Sequence, residues 1–348
     1  MCLLCGVCAE AMAFYQWMNL AHAEAPPDRP PLCINMDETA LVRHVTGLRG
    51  CVAKASQIAS VAVDRATLAD RRSYMSYLAC ISDDVTVQDR LPQVILGNQH
   101  QLSVALMRSM DLPSNVVVWR QQSAWNSRET MRRWLSLLSK SLGELVKRRY
   151  VILLLDVHLS HIDKSIYVHA RRCGVRLVYI PAKMTSFLQP CDTHLFAKFK
   201  HAFRVSWERT RSLSPGGVVS TASWMQVVVD AIQQVLPKTN WRSAFLSNGI
   251  VEKQRALSMR LRTEFGFDDG GVELPCVPPT AADALSIFPQ RMKLDIMSYV
   301  LWQTKEARTK RVGQAEDLGQ SETLRPKRRT LPPTFERSKV FRIPRTID

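Results

Sequence analysis

The stretch YVILLLD at residues 150–156 is almost continuously apolar and ends in a single aspartate, Asp156. A run of this length without polar alternation is typical of a β-strand that is buried on both faces. Such strands occur where helices cover both sides of a sheet. The stretch therefore predicts the centre of an α/β domain, and the basic residues at 147–149 mark its solvated start.

Strand-like and helix-like patterns alternate on both sides of this stretch, from residue 31 to about residue 210. Asn126 is a suitable helix N-cap, Glu129 follows three residues later, and apolar residues up to Leu145 then recur at helical spacing. The alternation predicts a mixed α/β layer structure. Further strands are predicted at residues 32–37, 72–81, 91–97 and 175–180, and further helices at residues 163–172 and from about 190 past Arg204.

The flanking segments differ in composition from this central region. Residues 1–30 predict a helical segment followed by a Pro-rich linker, and residues 211–303 predict a helical extension. Residues 304–348 are polar, lack periodicity and carry 12 Lys and Arg against 6 Asp and Glu, so we expect a disordered basic tail. The domain prediction is therefore an α/β domain over residues 31–210 between these segments.

The chain of 348 residues has 47 Lys and Arg against 31 Asp and Glu, a net charge of +16. A surface this basic suits phosphate backbones or anionic lipid and argues against a dedicated binder of cationic substrates. The sequence has no stretch of 18 uninterrupted apolar residues, so no membrane span is expected. It also has no phosphate-binding glycine loop and no G-x-S-x-G motif, which leaves P-loop and serine-hydrolase functions without support.

The nine cysteines are mostly isolated in apolar stretches, which indicates a reducing, intracellular compartment rather than a disulfide framework. Cys2, Cys5 and Cys8 have the spacing of zinc or cluster ligands, but no fourth ligand stands at a suitable spacing. Three small apolar residues are therefore the simpler interpretation. Residues 21–23 resemble a cleavage site, but Glu10 and the missing cationic start argue against a secretory signal.

Three predicted elements begin or end with an aspartate where a plain core residue would be ordinary. Asp37 ends the first predicted strand, Asp156 ends the most apolar strand, and Asp192 starts an amphipathic helix. Each aspartate alone is consistent with a loop start or an N-cap. Because the carboxyl ends of parallel strands lie at one edge of a sheet, we expect the three carboxylates to lie together. Strand alternation places Glu38 on the opposite face from Asp37, so Glu38 is not automatically its partner.

Clustered carboxylates repel each other unless a cation neutralises them, and hard oxygen ligands select Mg²⁺ or Mn²⁺. Two such ions, roughly 3.5–4 Å apart, would activate a water and stabilise the leaving oxygen in phosphodiester chemistry. The sequence therefore predicts Asp37, Asp156 and Asp192 as catalytic ligands of two divalent ions, in a protein whose basic surface attracts a polyanion.

Short motifs surround the three aspartates: NMDET at residues 35–39, LLLD at 153–156 with Ser160-His161, and QPCD at 189–192. These motifs resemble the DDE superfamily endonuclease domain, most closely the pogo/Tigger-like branch of Tc1/mariner transposases, which is related to centromere protein B. The resemblance spans about residues 31–210. It implies an RNase H-like mixed sheet flanked by helices, two divalent metals held by the three aspartates, and cutting or joining of DNA strands.

Two departures from the family pattern bear on activity. The family has Asn directly after the second aspartate, where this chain has Val157, which cannot replace the hydrogen bonds of an amide. The next residue, His158, either partly stands in or is a surface residue. Only 36 residues precede Asp37, fewer than the helix-turn-helix modules of relatives require. We therefore expect target recognition to be absent, supplied by a partner or lost with a further element.

Basic residues provide candidate nucleic-acid contacts. Lys198, Lys200 and Arg204 lie on a predicted helix near the site, where they either contact phosphates or form its solvent face. In the tail, the run at 325–329 is a nuclear-import signal, a phosphate-binding arm or a solvated charged segment. We predict a nuclear location and further contacts from Arg325, Lys327, Arg328 and Arg329.

The acidic trio and the resemblance favour a metal-dependent endonuclease or transposase domain that acts on DNA. The alternative is a domesticated or relic domain that binds nucleic acid without cutting it, which the Val157 departure favours. A doubly wound α/β domain with an unrelated function is the third interpretation. The expected partners are DNA and either a second copy of the chain or a separate DNA-recognition protein, without a membrane or a small-molecule cofactor.

Overall fold

The computed structural model describes residues 3–42, 74–122, 124, 126–158, 160–215, 218–237, 239–251 and 257–266. The chain divides into two units, Met1–Leu301 and Trp302–Asp348, and every described residue belongs to the first. The predicted tail at 304–348, with its basic run, therefore lies outside the described residues. So do Cys2 and the last part of the predicted helical extension.

Six strands form one mixed sheet in the order β4-β3-β2-β1-β5-β6. Of these strands, β2 alone runs opposite to the others, because its pairings with β1 and β3 are antiparallel and the remaining pairings are parallel. The arrangement confirms the expected RNase H-like mixed sheet. The strands are β1 (Pro31–Val42), β2 (Tyr74–Ser82), β3 (Gln93–Asn98), β4 (Val116–Gln121), β5 (Tyr150–Asp156) and β6 (Val175–Ile180).

Helices flank the sheet. Five consecutive residues of β5 are buried, so both faces of the sheet centre are covered, as the apolar run predicted. In the described part of the chain, no helix is both long and apolar enough to cross a membrane. The helices are α1 (Leu3–Ala23), α2 (Val85–Gln88), α3 (Val104–Ser109), α4 (Arg128–Leu142), α5 (Leu145–Arg148), α6 (Lys164–Arg172), α7 (Thr185–Leu188), α8 (Phe196–Leu213), α9 (Thr221–Val235), α10 (Arg242–Ser247) and α11 (Met259–Phe265), with a π-helical turn at Cys191–Leu195.

Strand β1 is longer than predicted, and Asp37 lies in its middle rather than at its end. The β1–β5 ladder ends at Asn35, whereas the β1–β2 ladder continues to Val42. The antiparallel partner therefore extends β1 beyond the point where β5 stops. As a result, Asp37 stands on a strand held by backbone hydrogen bonds rather than in a loop.

Helix α4 begins one residue later than predicted. Its N-cap is Ser127, whose hydroxyl oxygen accepts a hydrogen bond from the Thr130 amide at 3.1 Å. Asn126, the predicted cap, instead turns its amide towards the loop after β5. The helix ends at Leu142 because Gly143 takes a positive φ of 55°, so the predicted continuation to Leu145 is the separate short helix α5.

The edge strand β4 is not among the strands predicted from the sequence. Its residues Val116-Val117-Val118-Trp119 are β-branched or aromatic, so a strand signal is present. Pairing with β3 fixes this short run as a strand parallel to its neighbour. The pairing is a long-range contact that the local pattern could not supply.

Candidate functional site

Asp37 and Asp156 lie at the same level on adjacent parallel strands. The β1–β5 ladder pairs Asn35 with Leu154, and each aspartate follows two residues later on its own strand. Neighbouring strands are about 4.8 Å apart, and residues in register on them project from the same face of the sheet. The register therefore brings these two predicted site residues together.

Asp192 reaches the same edge on the π-helical turn that follows β6 and α7. The alternative of an ordinary N-cap does not hold for Asp192, because Pro190 occupies the N-cap position and Asp192 is the second residue of the turn. Buried Asn35 tethers the turn: its Oδ1 accepts a hydrogen bond from the Cys191 amide at 2.8 Å, and its Nδ2 donates to the Leu154 carbonyl at 3.1 Å. Single π-turns are frequent at functional sites.

The far side of the π-turn is held by the segment around the end of α10. The Asn248 side chain donates to the Thr193 hydroxyl at 2.9 Å, and the Ser247 hydroxyl shares a hydrogen bond with the His194 ring at 3.1 Å. Asn248 is buried. The residues that follow Asp192 are thus fixed by contacts from a segment more than 50 positions later in the chain.

The three aspartates influence each other electrostatically. Burial raises the pKa of Asp37 well above its usual range, and the charges of Asp192 and Asp156 raise it further. Burial also raises the pKa of Asp192, with a further contribution from Asp156, although Thr185 and Lys200 act in the opposite direction. Among the described residues, however, no three His, Cys, Asp or Glu side chains meet at the spacing of a complete metal-ligand set.

Asp156 is held differently, by a buried histidine. His161 Nδ1 donates a hydrogen bond to Asp156 Oδ1 at 2.6 Å, while His161 Nε2 accepts one from the Asn126 amide at 3.2 Å. The Tyr179 hydroxyl donates to the His161 carbonyl at 2.9 Å. Burial alone would raise the pKa of Asp156, but the hydrogen bond and the charge interaction with His161 lower it. In the sequence His161 is only part of a short motif, and the structure gives it a positioning role.

Unpartnered polar atoms lie next to the aspartates. Gln189 is fully buried, and among the described residues neither of its amide atoms has a hydrogen-bond partner at bonding geometry, although the amide is close enough to lower the pKa of Asp37. On the opposite face of β1, Glu38 Oε1 is also buried without a partner at bonding geometry in the part of the chain that the structure describes; burial raises the pKa of Glu38, while Ser76 and the Asn126 backbone act in the opposite direction. Native buried polar groups normally have a partner, so such atoms fit a place where a polar ligand binds.

The residues after Asp156 depart from the family pattern in a visible way. Val157 is half-buried and packs against the hydrophobic core. His158 is exposed, its Nδ1 shares a hydrogen bond with the Ser160 hydroxyl at 2.7 Å, and it is close enough to Asp156 to contribute to lowering the pKa of that carboxyl. The Asn126 amide contacts His161, which in turn holds Asp156, so an amide acts on this carboxylate through the histidine.

The predicted basic contacts on α8 are all exposed. Lys200 is close enough to Asp192 to lower the pKa of that carboxyl, and Lys198 lies over the Trp241 ring at 5.3 Å. Arg204 follows one turn after Lys200, on the solvent side of the same helix. Their role in binding nucleic acid stays a prediction, and so do the contacts of Arg325, Lys327, Arg328 and Arg329.

Comparison with known proteins gives a family for this arrangement. The pattern of the DDE superfamily endonuclease matches residues 72–248, just over half of the chain. No curated protein sequence matches the chain significantly. A solved structure, the Mos1 transposase paired-end complex with the left transposon end, is similar at 15% identity and a TM-score of 0.33; the match covers 70% of this chain and 62% of that chain, less than two thirds of its length.

The matched range contains Asp156 and Asp192 and begins after Asp37. Asp37 lies outside the matched range, and it is the register of β1 and β5 that places it beside Asp156. By its sequence pattern, the chain belongs to the DDE superfamily endonuclease family.

Proposed function

We propose that this chain is a metal-dependent endonuclease or transposase catalytic domain that cuts or joins DNA phosphodiesters. The observation that carries the proposal is the register of β1 and β5, which sets Asp37 beside Asp156 at the edge where the Asp192 turn is tethered. Three interacting carboxylates at one edge of a basic protein combine an acidic centre with a surface that attracts a polyanion. Within the family, the motifs favour the pogo/Tigger-like branch related to centromere protein B.

In chemical type the donor set fits hard divalent cations, because it consists of carboxylate oxygens. Burial, and then the charges of Asp192 and Asp156, raise the pKa of Asp37, so a cation would relieve part of that cost. Asp37, Asp156 and Asp192 would hold two Mg²⁺ or Mn²⁺ ions. When bound, such ions supply Lewis-acid activation of a water and neutralise charge on the leaving oxygen. His161 and Asn126 orient the Asp156 carboxylate, and Asn35 sets the distance between the strand pair and the Asp192 turn.

DNA is the proposed substrate, and a second copy of the chain or a separate DNA-recognition protein would select the target. The proposed place of action is the nucleus. A fluorescent fusion of the full chain, compared with one in which Arg325, Lys327, Arg328 and Arg329 are replaced by Gln, tests the location. Loss of nuclear signal in the substituted fusion is expected, and a wild-type fusion that stays outside the nucleus would contradict it.

Plasmid nicking tests the catalytic proposal. Full-length protein is incubated with supercoiled plasmid and Mg²⁺ or Mn²⁺, beside Asp37→Ala, Asp156→Ala and Asp192→Ala. Each substitution removes a metal ligand and should reduce nicking by about 10²-fold or more, to background. Calorimetric titration with Mn²⁺ provides a readout that does not depend on turnover, and each variant should bind fewer ions or bind them more weakly.

Asp111→Ala is the matched control, because Asp111 is an exposed aspartate in the loop before β4, at the opposite edge of the sheet. Its nicking and Mn²⁺ titration should equal those of the wild type. Equal nicking by wild type and Asp156→Ala would mean that a contaminant cuts the plasmid, and the catalytic assignment would be wrong.

A binding protein without catalysis is the second candidate function. Val157 favours it, since the amide that the family places beside the second aspartate is replaced by an apolar side chain that packs on the core. In that case the wild type binds duplex DNA with a strong salt dependence but does not nick it with either ion. Substituting Val157→Asn then distinguishes a lost activity, which this change would partly restore, from a domain that never cuts.

A further inference from the structure

A groove between helices α4 and α6 is not used by the proposed chemistry. The two helices run in the same direction and are joined by one polar contact per turn. The contacts are Arg132 Nη1 to Ser165 Oγ at 3.3 Å, Ser136 Oγ with His169 Nε2 at 2.7 Å, and Ser139 Oγ to the Cys173 carbonyl at 3.1 Å. This groove contains a cavity of about 510 Å³.

One end of the groove adjoins the acidic centre, which comprises the carboxylates of Asp37, Asp156 and Asp192. Asn126, which contacts His161, is followed directly by the α4 N-cap Ser127. The α6 N-cap Asp163 comes two residues after His161. Both helices therefore begin beside the Asp156–His161 pair, and the positive ends of both helix dipoles are at this end of the groove.

The charge of the groove is positive. Arg132, Lys164 and Arg172 line it, and the exposed side chains of Lys164 and Arg172 have no acidic partner in the part of the chain that the structure describes. Its carboxylate, Asp163, is already engaged: Oδ1 accepts from the Ser165 amide, and Oδ2 pairs with Arg128 at 3.3 Å. Lysine and arginine side chains without an acidic partner are donors that phosphate oxygens bind.

We propose that the α4–α6 groove binds successive phosphates of a nucleic-acid backbone and leads that strand to the acidic centre. Lys164 contacts a phosphate near the centre, and Arg172, two helical turns further along α6, contacts another. The identity of the ligand rests on the proposed function. The groove itself is a site separate from the three aspartates and from the basic residues of α8.

The test is DNA binding by the full chain, measured by fluorescence anisotropy with a random-sequence duplex across a series of salt concentrations in EDTA. The groove variant is Lys164→Gln/Arg172→Gln. The matched control is Arg90→Gln/Arg108→Gln, which removes the same charge from two exposed arginines, one before and one after β3, a strand that β2 and β1 separate from β5. Thermal unfolding of both variants establishes that the fold is kept.

The groove variant should bind the duplex about tenfold more weakly at moderate salt, and its salt slope should fall by about 2, because about one counterion is released per phosphate contact. The control should stay within about twofold of the wild type, with an unchanged slope. Equal losses in both variants would overturn the proposal, because only net charge would then matter.

Two further measurements are needed. The first distinguishes a nucleic-acid phosphate from a small phosphate, and the second distinguishes failure of the groove proposal from failure of the catalytic proposal. Pyrophosphate binding that depends on Lys164 and Arg172, with duplex affinity unchanged, would overturn the nucleic-acid assignment in favour of a small phosphate. If the wild type never nicks plasmid but the groove variant still loses duplex affinity, the groove stands while the catalytic proposal fails.

Discussion

The end of β5 and the turn after β6 each present an aspartate at the same edge of the sheet, but they hold it in opposite ways. Asp156 continues a buried strand that pairs on one side with β6, and its carboxylate is bound by His161. Asp192 lies partly exposed and partly buried on a π-helical turn that is held in place by Asn35 and, through Thr193, by Asn248.

The pKa directions follow this difference. The hydrogen bond and charge of His161 lower the pKa of Asp156 against the effect of burial, whereas burial and neighbouring acids raise the pKa of Asp37 and Asp192. The protein thus keeps one carboxylate ionised with its own residues and leaves two whose charge is poorly compensated. A bound cation lowers the free energy most beside carboxylates whose charge the protein compensates poorly.

Breaking the link between the two regions should have the largest effect. Asn35→Ala leaves the Cys191 amide and the Leu154 carbonyl without their buried partner, so the free energy of unfolding should fall by about 2–4 kcal/mol. Denaturant unfolding measures it. Asn98→Ala, a less buried asparagine at the end of β3, is the control and should cost less than about 1 kcal/mol. A similar cost for both would mean that Asn35 does not join the regions.

The second-largest effect is expected from a substitution that changes only the β5 region. His161→Ala removes the donor to Asp156 and leaves this half-buried carboxylate without its partner, so the free energy of unfolding should fall by about 1–3 kcal/mol and nicking by about tenfold or more. His161→Gln keeps a donor and should recover part of both. The exposed His100→Ala is the control. An unchanged pKa of Asp156 in His161→Ala, measured by NMR titration, would contradict the positioning role.

Loosening only the turn should have a smaller effect. Asn248→Ala removes the hydrogen bond to Thr193 and should cost about 1 kcal/mol, with a stronger effect on nicking than on stability. A double-mutant cycle with Thr193→Val measures the coupling between the two side chains. Coupling indistinguishable from zero would show that Asn248 supports the fold without supporting the Asp192 turn.

Neutralising one poorly compensated carboxylate should stabilise the protein slightly. The pKa of Asp37 is raised in the folded state, so the folded protein binds the extra proton and its stability falls as pH rises through that pKa. Asp37→Asn removes this loss and should gain about 1 kcal/mol at neutral pH, with no gain at acidic pH. Asp156→Asn should have the opposite sign, because a lowered folded-state pKa stabilises at neutral pH and that contribution is lost on acidification. Chemical unfolding at several pH values, with Asp111→Asn as control, decides both signs.

Much of the site was predictable because local patterns carried it. The apolar run before Asp156 and the VRLVYI run of β6 fix two neighbouring strands through burial on both faces, and their observed bounds equal the predicted ones. Helix α6 begins one residue after its predicted start because Asp163 is its cap. The middle position of Asp37 in β1 was not predictable in this way, since it depends on a partner strand that starts 37 residues later in the chain.

The sequence by itself determined which acids were available, the apolar strands that carry two of them, and the basic charge around them, because these are properties of composition and short-range pattern. Only the tertiary structure decided that Asp37 stands level with Asp156, that Asn35 and Asn248 hold the Asp192 turn, and that Asn126 serves His161 rather than a helix end. Each of those features is a hydrogen bond or ladder between residues tens of positions apart. Such contacts are selected by the packing of the whole domain, which no local pattern encodes.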